Sequence, residues 1–121
     1  MKIEHFDQQS LWARVAGDPE LLRELVELFT SEAPRMLARV EQAIKDGSPS
    51  GLEKASHKIK GAVLQFSADT AAAIALELEE NGRRGSVTGA EALLKKLKHE
   101  VDLLLQTLRV MVGGKAGRFQ E

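Results

Sequence analysis

The chain has 121 residues, of which 43% are hydrophobic and 29% are charged, which is the size and mixture of one globular domain. Lysine plus arginine (17) nearly balances aspartate plus glutamate (18), so no basic field favours nucleic acid. The absence of cysteine excludes disulfides, thiol nucleophiles and cysteine-bound zinc. Neither a signal peptide nor an apolar run of about 18 residues is visible. We therefore expect a cytoplasmic protein that binds neither nucleic acid nor membrane.

Helical signals dominate the chain, and no strand-length window shows the alternation of a β-strand. A short first helix is predicted over about residues 7–15, where a glycine follows it. Asp18, Pro19 and Glu20 then supply an N-cap, a proline at the first helical position and an acid in the first turn. A second helix is therefore expected to begin there and to continue to the breaking pair at 46–47.

The second helix contains a proline at an interior position. Its apolar residues keep helical spacing: Leu21, Leu22, Leu25, Leu28, Phe29, Met36, Val40 and Ala43. Pro34 removes one backbone donor and crowds the preceding turn. We expect a kink over about residues 31–34, and a true break with a turn is the alternative.

Three more helices are predicted after the second. The serine and proline at 48–49 repeat the start signal, and a third helix follows to about residue 66. After a turn at 67–70, in which Asp69 or Thr70 is the expected cap, a fourth helix runs to about residue 81 and ends at Gly82 and Gly85. The last helix covers about residues 89–112. Its apolar stripe is Leu93, Leu97, Val101, Leu104, Leu108 and Met111.

The connections between these helices are short, which favours antiparallel neighbours. The predicted fold is all-α: an up-down antiparallel four-helix bundle with a short extra N-terminal helix. One domain is expected over residues 1–112, followed by a disordered tail at 113–121. Because such a bundle can bury its own core, we expect a monomer.

The third helix has a face that does not belong to the core. At about 100° per residue, His57 falls almost opposite the apolar stripe, on a side that it shares with Lys60, Gly61 and Leu64. A lone exposed histidine has no special meaning. Here Lys60 can bring an ammonium beside the imidazole, and Gly61 leaves space although glycine within a helix costs about 1 kcal/mol relative to alanine. This face predicts a phosphate-handling site that is open to another protein.

A second residue is predicted to meet the histidine. Glu79 lies as far beyond Ala68 as His57 lies before it, so in an antiparallel pair that turns at Ala68 both have the same height. A carboxylate that accepts from one ring N–H would fix the tautomer and leave the other nitrogen free as a nucleophile. A solvated acid is the alternative.

These residues resemble a known family. The segments HKIKG at 57–61, FSA at 66–68 and LE at 78–79 are similar to the H-x-x-K-G, L-G-A and L-E pattern of the histidine-containing phosphotransfer (HPt) domains of two-component phosphorelays. FTSEAPRMLARVEQAI resembles the second helix of the family, including its proline. Two departures stand out: phenylalanine and serine replace the usual Leu-Gly at 66–67, and Glu79 rather than glutamine adds negative charge.

The resemblance implies a role for each matching residue. His57 is the phosphoacceptor, Lys60 helps to hold the phosphoryl group, Gly61 clears room, and Glu79 stands near the imidazole. The group would come from a receiver-domain aspartate and pass to another receiver aspartate. No cofactor is implied, because Mg²⁺ belongs on the receiver. The partners that it implies are response-regulator receiver domains and a hybrid sensor histidine kinase.

The partner is expected to dock on the face around the histidine, at Lys54, Lys58, Leu64 and Ala68. No G-x-x-x-x-G-K-[ST] motif occurs, so we expect a phosphate carrier without ATP-dependent kinase activity of its own.

There are three alternatives to a phosphate carrier. The main one is a non-catalytic helical module that docks receiver domains without phosphorylation. A carboxylate-bridged metal bundle is disfavoured, because Glu53 lies four residues before His57 instead of three, and His5 and His99 lie elsewhere. A histidine-kinase dimerisation segment is disfavoured because Lys58, and not an acid, follows His57.

Overall fold

The computed structural model describes residues 8–113, and all regular structure within this range is helical. The helices are α1 (Gln8–Arg14), α2 (Pro19–Lys45), α3 (Pro49–Leu64), α4 (Asp69–Arg83) and α5 (Ala90–Gly113). Each long helix packs against two others, since α2 and α4 both contact α3 and α5. The prediction of an all-α bundle with a short extra helix is confirmed. His5 and most of the predicted tail lie outside the described residues.

The predicted start signals of α2 and α3 are confirmed. The carboxylate of Asp18 accepts from the backbone N–H of Glu20 at 3.0 Å and of Leu21 at 3.3 Å. The hydroxyl of Ser48 accepts from the N–H of Gly51 at 3.0 Å. In each case a side-chain oxygen satisfies an N–H group that has no partner within the helix. These caps fix where the two helices begin.

Pro34 lies inside an uninterrupted helix, because α2 extends from Pro19 to Lys45. The alternative of a true break is therefore wrong. The kink itself stays a prediction. The predicted cap of α4 is also wrong: Ala68 occupies the cap position and makes no side-chain hydrogen bond there, while Asp69 is already helical.

The core draws on all five helices. Leu11 of α1 is fully buried, and the rings of Phe29 and Phe66 lie 5.1 Å apart, centroid to centroid. The predicted stripe of α5 is buried in its central part and partly buried at Leu93 and Met111. The sequence did not indicate that Leu94 is also buried. None of the helices within residues 8–113 combines the length and the apolar character of a membrane-spanning segment.

Gly82 of α4 packs directly against the backbone of α3. The predicted end of α4 is confirmed at Gly85, which has a φ of +81° directly after the C-cap Arg84, but it is wrong at Gly82, since the helix continues through Gly82 to Arg83. A Cβ atom at Gly82 would lie 2.6 Å from the backbone nitrogen of Glu53 and closer still to the carbonyl oxygen of Pro49. The glycine is thus required by the contact with the first turn of α3.

The turn between α3 and α4 is tied to α1 through Ser67. Its φ is +57°, a left-handed conformation that is unusual for a residue other than glycine. Its hydroxyl donates to Oγ of Ser10 at 2.9 Å and accepts from Nε of Arg14 at 3.0 Å. The serine therefore keeps the backbone conformation that glycine favours and adds contacts that glycine could not make.

Candidate functional site

His57 projects outward from α3, as the helical wheel predicts. Its side chain is 69% exposed, whereas Leu52 and Ile59 on the opposite side of the helix are fully buried. An exposed imidazole on a rigid helix is accessible to a macromolecule without any movement of the backbone. The site is therefore built around a surface position and not inside a cavity.

Glu79 of α4 meets the imidazole. Nδ1 of His57 and Oε2 of Glu79 lie 2.9 Å apart, and the Glu79 side chain is only 5% exposed. An ionised carboxylate can only accept, so Nδ1 carries the proton that it donates. In the neutral ring this leaves Nε2 with a free lone pair. The predicted pairing of these two residues is confirmed.

Lys60 contacts the other oxygen of the same carboxylate. Its Nζ lies 2.7 Å from Oε1, which is the distance of an ion pair although the angles are not those of a hydrogen bond. Burial by itself raises the pKa of Glu79, but the contacts with Lys60 and His57 outweigh this effect and hold the pKa below its ordinary value of 4.5. Glu79 is consequently ionised at neutral pH.

A further cation at the site was not predicted from the sequence. Nη2 of Arg83 donates to Oε2 of Glu79 at 3.0 Å, and Nε donates to Oε2 of Glu53 at 3.2 Å. The signal that could have revealed it is the spacing of Glu79 and Arg83, four residues apart on one helix face. Arg83 thereby connects α4 to α3 beside the histidine.

Gly61 borders the site and is exposed. A Cβ atom built at this position meets nothing within 4 Å. Packing within the described part of the chain therefore does not require a glycine here, in contrast to Gly82. The missing side chain leaves free space one turn from His57, on the outer face of α3.

Three of the four predicted docking residues lie on the surface. Lys54, Lys58 and Leu64 are exposed around His57. The prediction that Ala68 contacts the partner is wrong, because Ala68 is only 2% exposed and packs in the core at the start of α4. A partner cannot reach it, so it supports the turn rather than the docking surface.

The surface continues from α3 onto α2 as two clefts that share Lys58. One, of about 190 Å³, has an apolar wall formed by Leu25, Leu28, Phe29 and Met36 of α2 and Ala62 of α3. The other, of about 420 Å³, is lined by the basic side chains of Arg39, Lys54 and Lys58 and by one acid, Asp46. Leu28 is 60% exposed, although its helical spacing had suggested a core position. The leucines of α2 cover more of the helix than one core-facing stripe. This excess could have indicated that α2 also has an exposed apolar surface.

Within residues 8–113 no three metal-ligating side chains lie together.

Comparison with known proteins agrees with this geometry. The sequence model of the Hpt domain matches residues 24–108, which is more than half of the chain and includes His57, Lys60, Gly61 and Glu79. The crystal structure of histidine-containing phosphotransfer protein B (HptB) from Pseudomonas aeruginosa PAO1 is similar, with a TM-score of 0.79. The two sequences are 23% identical, and the alignment covers 97% of this chain and 98% of that one, which establishes a common fold. No curated protein sequence matches the chain significantly.

Proposed function

This chain belongs to the Hpt domain family, whose role is histidine phosphotransfer in phosphorelays, and from that premise we propose that it carries the phosphoryl group on His57. The group arrives from an aspartyl phosphate of one receiver domain and leaves to the aspartate of another. The observation that carries the proposal is the 2.9 Å contact between the exposed imidazole and a buried, ionised Glu79. A bare surface histidine would not have its tautomer fixed in this way.

The contact supports Nε2 as the nitrogen that reacts. With the proton held at Nδ1, the lone pair on Nε2 attacks the phosphorus of the aspartyl phosphate. The N–P bond forms as the P–O bond to the aspartate breaks, and the bonding electron pair leaves with the aspartate carboxylate. No proton needs to move, because Nε2 carries none.

Glu79 stabilises the product of this step. Once Nε2 is phosphorylated and Nδ1 keeps its proton, the ring is positively charged and lies beside the carboxylate. In the onward transfer the N–P electron pair returns to Nε2, so the ring leaves as neutral imidazole. The negative charge of Glu79, which a glutamine would lack, therefore stabilises the phosphorylated ring. Because the ring leaves as a neutral imidazole, transfer is reversible.

Lys60 supplies a positive charge beside the imidazole. Its ammonium lies 2.7 Å from Oε1 of Glu79, its side chain is 22% exposed, and the residue is one helical turn from His57. From there it can turn towards the oxygens of a phosphoryl group on His57. Mg²⁺, which neutralises the transferring group in aspartyl phosphate chemistry, is assigned in this proposal to the receiver.

The receiver is proposed to dock over Gly61 and the two clefts on its α2 side. Leu28 and Ala62 offer apolar contact, while Lys54 and Lys58 offer positive charge to the acidic phosphorylation site of a receiver. The free space at Gly61 lets that surface approach the helix backbone next to His57. The chain itself is proposed to have no ATP-dependent kinase activity, so a hybrid sensor histidine kinase would supply phosphate through its receiver.

The test is phosphoryl transfer from receiver domains that carry labelled phosphate on aspartate. The wild-type chain is expected to gain acid-labile label at His57, and His57→Gln is expected to stay folded and remain unlabelled. His99→Gln is the matched control, because His99 is an exposed histidine on α5. Label that persists in His57→Gln would refute the assignment. Receiver binding by the wild-type chain without any label would instead support the non-catalytic docking module.

A further inference from the structure

Arg83 is adjacent to the reacting histidine but has no part in the mechanism above. We propose that Arg83 is a positioning residue for phosphotransfer, which holds the Glu79 carboxylate so that Oε2 faces Nδ1 of His57. The effect on transfer rests on the proposed function. The effect on the imidazole does not, because it is present in the unphosphorylated protein.

The contacts of Arg83 span both helices of the site. Nη2 binds Oε2 of Glu79 on α4 at 3.0 Å, and Nε binds Oε2 of Glu53 on α3 at 3.2 Å. The guanidinium is planar and rigid, so two anchors on different helices fix its orientation. A lysine has a single flexible ammonium and could not reproduce both contacts in a fixed geometry.

The carboxylate of Glu79 needs a second anchor to keep its orientation. The terminal torsion of a glutamate has a broad energy profile, so one contact does not fix the carboxylate plane. Lys60 contacts Oε1, whereas His57 and Arg83 share Oε2. With a cation at each oxygen, rotation of the group would break at least one ion pair. Because the Glu79 side chain is only 5% exposed, bulk water is poorly placed to replace the broken ion pair.

The orientation of Glu79 decides the reactivity of the imidazole. If Arg83 is lost, the ion pair of Lys60 at Oε1 is no longer opposed by an arginine at Oε2, and the bond to Nδ1 of His57 is less well aligned. The ring can then adopt its other tautomer, in which Nε2 carries the proton and has no lone pair for attack. Arg83 thus raises the fraction of His57 rings that are in the nucleophilic tautomer, and it does so without touching the reacting atoms.

The expected size of the effect is modest. The Arg83 side chain is 56% exposed, so solvent screens its contacts with Glu79 and with Glu53. A screened charge contact contributes up to about 1 kcal/mol, which corresponds to about a fivefold change in rate.

The experiment compares the wild-type chain with Arg83→Gln, Glu53→Gln, the double variant and the control Arg84→Gln. Arg84 is the neighbouring exposed arginine. The first measurement is the NMR signals of the two His57 ring nitrogens in unphosphorylated protein. The second is the rate of label transfer from a phosphorylated receiver, and the unfolding midpoint is recorded for each variant.

We expect Arg83→Gln to shift the ring signals towards the Nε2–H tautomer and to slow transfer about fivefold. Glu53→Gln, which removes the contact that holds the Arg83 guanidinium from α3, should cause a smaller shift in the same direction. In the double variant Glu53→Gln should add nothing to the loss of Arg83. Arg84→Gln should give wild-type signals and a wild-type rate.

Wild-type ring signals in Arg83→Gln would overturn the proposal, as would effects of the two substitutions that simply add. If Arg83→Gln does not fold, Glu53→Gln decides alone: a tautomer shift supports positioning, and unchanged signals refute it. If even the wild-type chain accepts no label, the proposed function fails, while the ring signals still decide the role of Arg83.

Discussion

Gly82→Ala is expected to destabilise the fold by about 2 kcal/mol. The added methyl would lie 2.6 Å from the backbone nitrogen of Glu53, so α3 and α4 must move apart. Overpacking of this kind costs about 1–3 kcal/mol, and contact with backbone, which cannot rotate away, favours the upper end. Alanine recovers about 1 kcal/mol of helix propensity. The net loss corresponds to a midpoint about 8 °C lower.

Gly61→Ala is the matched comparison, because it makes the same change in the neighbouring helix where no atom lies within 4 Å of the new methyl. It is expected to gain about 1 kcal/mol, which raises the midpoint by about 4 °C. The same methyl should slow transfer from the receiver, since it occupies the space through which the partner approaches His57.

Thermal and urea unfolding, followed by circular dichroism on unphosphorylated protein, measure both variants. The reasoning would be refuted if the two substitutions changed stability in the same direction. A Gly61→Ala variant that is more stable and transfers phosphate at the wild-type rate would show that the free space at this position is not used by the partner.

Further expectations concern the turn, the acid and the α2 surface. Ser67→Ala should lower the free energy of unfolding by about 1–2 kcal/mol, because it removes the contacts with Ser10 and Arg14. Ser67→Gly should be about 1 kcal/mol more stable than Ser67→Ala, because glycine adopts the left-handed backbone conformation without strain. Urea unfolding measures both differences. The pKa of Glu79 is lowered in the fold, so its contribution to stability is full above its ordinary value of 4.5 and is lost as pH falls through the lower folded pKa. Glu79→Gln should therefore flatten the dependence of unfolding free energy on pH below that value; an unchanged slope would contradict this. Leu28→Asn should weaken receiver binding in titration calorimetry and lower stability by no more than about 0.5 kcal/mol, because Leu28 is 60% exposed.

Local signals in the sequence were sufficient to predict the helices and the central pair of the site. Asp18 and Ser48 mark helix starts because a cap depends only on the next few residues. The meeting of His57 with Glu79 follows from equal distances to one turn, which requires no knowledge of the remaining bundle. Such features are encoded within a short stretch of chain.

Features that depend on the distance between helices were missed. Gly82 looked like a helix stop, but its role follows from the position of Pro49 and Glu53 on another helix. Arg83 joins the site only because α3 and α4 approach so closely. Ala68 matched a docking pattern, yet the packing of the turn buries it. The spacing of residues along one helix does not contain this information.

The close pairing of α3 and α4 also bears on the order in which the molecule folds. His57 and Glu79 are 22 positions apart in the chain, with one short turn between their helices. Closing so short a loop costs little entropy, and contacts of small sequence separation form early. The reacting geometry is therefore expected to assemble as these two helices pair, before α5 completes the bundle. The lifetime of that geometry, in contrast, depends on the whole core, including residues of α5 far along the chain.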